Sequence, residues 1–156
     1  MLSEQLKNLT AAESDLLLEA IPTIAILIAG ADHVIDQKES DWAAKLTHIR
    51  SFVTSSHDQN KHNDTNEFYD WADKHYHEKF DALLKSSPIS TDILTQKLAE
   101  LNPVLAKLEH QFAKKLYHSF LSFAEHIARA SGGVLGFGSI SDVENDLIGL
   151  PMIHQI

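Results

Sequence analysis

The stretch from Asn102 to Ala130 reads NPVLAKLEHQFAKKLYHSFLSFAEHIARA. Its large apolar residues fall at Leu105, Leu108, Phe112, Leu116, Phe120, Phe123 and Ile127, in steps of three and four. Steps of that size return to one side of an α-helix, whereas a half-buried strand needs strict alternation. Asn102-Pro103 supplies a start signal: a short polar side chain that can cap, then Pro where its missing N–H costs nothing. The pattern predicts a new helix or a sharp kink at that point, and one helix continuing to about Ala130.

Four other points carry a matching start signal, a short polar residue with Glu three places later. They are Thr10 to Glu13, Asp36 to Glu39, Asp64 to Glu67 and Ser141 to Glu144. In such a box the first side chain accepts from an orphan backbone N–H, and the Glu reaches back to the capping residue's own N–H. The first box predicts a helix over about 11–29, with Leu16, Leu17, Ala20, Ile24, Leu27 and Ile28 as its apolar set and Pro22 bending it. The second predicts a helix with Trp42, Leu46, Ile49 and Val53 on its stripe, followed by a polar loop. The third predicts a helix burying Phe68, Trp71, Ala72, Phe80, Leu83 and either His75 or Tyr76, stopping near Ser86-Ser87-Pro88. A shorter helix is expected from about Asp92 to Leu101, and a last one after Ser141 that Gly149 and Pro151 end. Strand signals are weak throughout, so the expected class is all-α: one compact bundle of about six to seven helices spanning residues 1–156.

The charge balance narrows the partners. Thirteen Lys and Arg against 22 Asp and Glu give a formal net charge of −9, and Lys114-Lys115 is the only adjacent basic pair. Such a surface repels phosphate backbones, so nucleic acid and anionic membranes are not expected partners. It suits divalent cations or a basic protein. The chain has no cysteine, which removes disulfides, thiolate metal sites and a cysteine nucleophile. The first residues lack a signal-peptide pattern, and the most apolar run, Ile21 to Ala31, is about half the ~20 residues a membrane span needs. A cytoplasmic location is the expectation.

Two passages resemble one family. Ala29-Gly30-Ala31-Asp32-His33-Val34-Ile35-Asp36-Gln37-Lys38-Glu39 is similar to the Ala-Asp-Gly-x-Ile-Asp-x-x-Glu turn of tellurite-resistance TerB-like proteins. Ser131-Gly132-Gly133-Val134-Leu135-Gly136-Phe137-Gly138-Ser139-Ile140-Ser141-Asp142-Val143-Glu144 looks like the glycine- and aromatic-rich segment near the end of the same family. His33 stands where the family usually has Gly, and Val134 where Phe is common. The resemblance implies a bundle of two pseudo-repeated halves, each contributing one of these turns. It also implies a divalent metal at acidic positions, and a role beside partner proteins in bacterial tolerance of tellurite, phage or toxins.

On the residues themselves, Asp32, Asp36 and Glu39 offer hard oxygen ligands within eight positions, suited to Ca²⁺, Mg²⁺ or Mn²⁺ more than Zn²⁺. Asp142 and Glu144 are their counterparts in the second half. Each also has a plain structural reading: Asp36, Glu39 and Glu144 as members of capping boxes, Asp32 as a turn acceptor, Asp142 as a first-turn acid. An EF-hand is excluded, because Val34, Gln37 and Ala43 occupy the third, sixth and twelfth loop positions. The glycine-rich turn lacks the Gly-Lys-Ser/Thr ending of a phosphate-binding loop. The ten histidines include His75 and His77 on different helix faces, and Asp73 with His77 four apart near Asp70 as a surface pair. No nucleophile elbow, His-Glu-x-x-His or cofactor motif occurs, so the expected protein is not an enzyme. A metal-dependent hydrolase using the same acids and a metal-free adaptor are the rival readings. Self-association is compatible with all three.

Overall fold

The computed structural model describes residues 2–29, 45, 47–48, 64–85, 91–132 and 148–156. Within them every regular element is a helix and none is a strand, so the chain is all-α. The elements are α1 (Leu2–Leu6), α2 (Ala11–Ala29), α3 (Asp64–Lys85), α4 (Thr91–Ala99), α5 (Leu101–Ala106) and α6 (His110–Gly132). Helix α1, a single short turn of chain, carries no start signal in the sequence and was not expected. The residues Lys45, Thr47 and His48 are helical where the second capping box leads, although Trp42, Leu46, Ile49 and Val53 lie outside the described residues.

Helix α2 begins as its box requires. Thr10 N–H donates to Glu13 Oε2 at 2.9 Å, and Glu13 N–H donates to Thr10 Oγ1 at 3.1 Å. From Leu17 to Ile28 only Glu19 escapes burial, and even Pro22 and Thr23 are enclosed. A helix that is apolar on all sides has to be surrounded, and α2 packs against α3, α4, α5 and α6. It is the hub of the bundle. Glu19, the polar exception, reaches between two neighbours: its carboxylate lies 3.8 Å from Lys79 of α3 and 3.4 Å from Lys97 of α4.

Around the hub, α3 and α6 meet through aromatic rings. Phe68 packs edge-on against Tyr69 and Trp71 and lies 5.9 Å from Phe120, ring centre to ring centre. Tyr69 O–H donates to Ser119 Oγ at 3.0 Å, whose hydroxyl passes the bond on to Leu116 O at 2.7 Å. Of His75 and Tyr76, the tyrosine is the buried one, stacked on Phe80.

The single helix expected from Asn102 to Ala130 is two. The chain leaves α5 after Ala106 and re-enters helix at His110, although Leu105, Leu108, Phe112, Leu116, Phe120, Phe123 and Ile127 are all buried as the periodicity required. Glu109 makes the break possible. Its two carboxylate oxygens accept the N–H groups of Gln111 at 3.0 Å and Phe112 at 2.9 Å, satisfying orphan donors of α6. Glutamate is not among the favoured capping residues, so its spacing read as helix interior. Lys107, in the same connection, bonds Glu13 and ties this corner to the start of α2.

The two N–H bonds hold the Glu109 carboxyl below its usual pKa, and Lys107 does the same to Glu13, helped by the Thr10 N–H. A carboxyl depressed by folding contributes stability above its unfolded value and loses it as pH falls through its folded value. Glu109→Gln, which keeps an acceptor but removes the charge, is therefore expected to lower stability at neutral pH and flatten its decline on acidification. Urea unfolding across the acid range reads this directly. Parallel pH profiles for the two proteins would contradict the cap.

The tail over 148–156 forms turns rather than helix, and the helix expected after Ser141 lies outside the described residues. Leu150 is fully buried and Ile153 nearly so. Leu150 takes a left-handed backbone with φ of 44°, a strained conformation that persists where packing enforces it. Asn102, expected to cap a helix, instead sits inside α5 and grips this tail. Its Nδ2 donates to Met152 O at 3.0 Å, and its Oδ1 accepts the His154 N–H at 2.7 Å.

Candidate functional site

The five acidic candidates, Asp32, Asp36, Glu39, Asp142 and Glu144, lie outside the described residues. What the structure does place is the described stretch of helix ahead of each acidic segment. Helix α2 stops at Ala29, three residues before Asp32, with Ile26, Leu27 and Ile28 buried in its last turn and no basic residue there. Helix α6 stops at Gly132, ahead of the second turn, and its one basic residue in the last turn, Arg129, is engaged by Glu125 at 2.6 Å. The two helices pack on one another. Helix C-terminal ends expose carbonyl oxygens and carry partial negative charge.

Other acids are already partnered. Asp70 pairs with Lys74 at 2.9 Å, and Asp73 with His48 at 2.9 Å, so Asp73 turns to His48 of the preceding segment rather than to His77. His75 approaches Glu78 at 3.8 Å. Among the described residues no three His, Asp or Glu side chains gather as metal ligands would, and every described histidine except His75 is exposed. Tyr76 carries a buried hydroxyl with no hydrogen-bond partner among the described residues, and its burial pushes the phenol pKa up. It therefore stays protonated, stacked on Phe80.

A cleft of about 310 Å³ opens where α5, the first turn of α6 and the tail meet. Leu105, Leu108 and Ala113 provide its apolar side; His110 comes from α6, and His154 and Gln155 come from the tail. No signal in the sequence points to it, because its walls lie up to fifty residues apart in the chain. The Asn102 clamp and the burial of Leu150 and Ile153 bring them together.

No family model, curated protein or solved structure matches this chain. Among the described residues, no helix is long and apolar enough to cross a membrane.

Proposed function

We propose that residues 1–156 form a non-catalytic helical domain of the TerB-like kind, holding a divalent cation at its acidic turns and meeting a protein partner in a bacterial cytoplasmic stress response. The observation that carries the cation is the end of α2. Its last described turn is buried at Ile26, Leu27 and Ile28 and holds no basic side chain, and Asp32, Asp36 and Glu39 follow in the sequence. Negative charge at a helix C-terminus is unfavourable unless a cation offsets it, and carboxylates with carbonyl oxygens are the ligands Ca²⁺, Mg²⁺ and Mn²⁺ take. The echo of Val34-Ile35-Asp36-x-x-Glu39 in Ser139-Ile140-Ser141-x-x-Glu144 supports two repeated halves in a bundle of six to seven helices.

The test is thermal unfolding of chelator-treated protein titrated with Ca²⁺, Mg²⁺, Mn²⁺ and Zn²⁺, beside an Asp32→Ala, Asp142→Ala double variant. Those two positions are not the first residues of capping boxes, so cap loss does not imitate ligand loss. A cation bound only by the native state at a hundredfold its Kd adds about 2.7 kcal/mol, roughly 5–10 °C in Tm for a chain of this size. The expected result is such a rise in the parent and none in the variant. A rise that survives both substitutions moves the site to the histidines. No rise with any ion removes the cation and leaves the adaptor reading. Hydrolysis would additionally need an open coordination position.

A further inference from the structure

The cleft between α5, α6 and the tail differs chemically from the rest of this surface. The chain is 22% charged, yet no Asp, Glu, Lys or Arg side chain lines the cleft. Its walls are aliphatic, with two imidazoles and one primary amide beside them. The remaining polar side chain, Asn102, spends both halves of its amide on the tail. Apolar walls with a few polar groups are the usual make-up of a small-ligand site, and about 310 Å³ falls at the small end of the range.

Each of these features restricts the occupant. A charged ligand would leave water for a site whose walls hold no Asp, Glu, Lys or Arg side chain, which is costly. A neutral imidazole always presents one N–H donor and one acceptor nitrogen, so it serves a hydroxyl in either direction. The volume admits a single ring or a short chain and excludes a dinucleotide. We propose that this cleft is a binding site for a small uncharged molecule with an apolar body and one hydroxyl or amide group. The body lies on Leu105, Leu108 and Ala113, and the polar group meets His110, His154 or Gln155. Three wall residues belong to the tail, so occupancy and tail docking favour each other.

The experiment uses the full chain, isotope-labelled, with chelator present so that the acidic turns play no part. Phenol and benzyl alcohol are titrated, with benzoate and benzylammonium as charged counterparts, while the imidazole signals are followed by NMR. Saturable movement of His110 and His154 with the two uncharged probes is expected, with a Kd below ~10 mM and at least tenfold weaker binding of the charged pair. Ala106→Phe projects a ring into the cleft from an exposed wall position, and is expected to abolish the movement with the unfolding temperature unchanged. Asn102→Ala, which removes the two hydrogen bonds that hold Met152 and His154 of the tail, is expected to weaken it while α2, α3 and α6 stay folded. The site is overturned if neither histidine moves, if all histidines move alike, if the charged probes bind as well, or if Ala106→Phe binds as the parent does.

Discussion

Phe120→Ala is expected to destabilise the protein by about 3–5 kcal/mol, the usual cost of emptying an aromatic position in a close-packed core. Phe120 is fully buried in α6 and faces Phe68 of α3 across 5.9 Å. These rings join two helices that both lean on α2, so a void there loosens three elements together. For a chain of this length the loss lowers Tm by on the order of 10 °C. The partner substitution sharpens the test. Phe68→Ala is expected to cost a similar amount, and the double variant less than the sum by about 0.5–1.5 kcal/mol, the worth of an aromatic pair beyond its burial. Denaturant unfolding of the four proteins measures this. Strict additivity would mean that the rings do not meet.

Ile24→Asp is expected to do more and prevent folding altogether. Ile24 is fully buried in the middle of α2, the helix enclosed by α3, α4, α5 and α6. Among the described residues an isolated carboxylate there finds no cation, since the lysines that approach α2 gather at Glu13 and Glu19 nearer its start. The group must either ionise unpaired or take up a proton, and both choices oppose a marginal folding free energy. Loss of the dispersed NMR spectrum and of cooperative melting is the expected outcome. A cooperatively folded variant within a few degrees of the parent would falsify the placement of α2 as the hub. Leu16→Asp is the matched control: Leu16 is only partly buried, and a much smaller loss is expected from it.

The acidic candidates Asp32, Asp36, Glu39, Asp142 and Glu144 lie outside the described residues, and they rest on motif and spacing alone. The cleft was invisible for the opposite reason. Asn102 looked like a helix cap because Asn before Pro is a start signal, yet its amide works across fifty residues on the backbone of Met152 and His154. Glu109 was hidden similarly: a glutamate inside a run of helical spacing looks like surface, and nothing local reveals that its carboxylate bends back over the next turn.

The amino-acid sequence by itself determined the helical class, the bounds of α2 and nearly those of α3, and the buried face of α6. These follow from local causes, namely apolar residues recurring at the helical period and side chains bonding backbone three places away. Only the tertiary structure decided that α2 is buried on nearly every side from Leu17 to Ile28, that the long apolar face is split at Glu109, and that the tail is clamped into a cleft. Those outcomes depend on which surfaces find each other. Periodicity states that a face will be covered and is silent about what covers it, because burial of apolar area is non-directional.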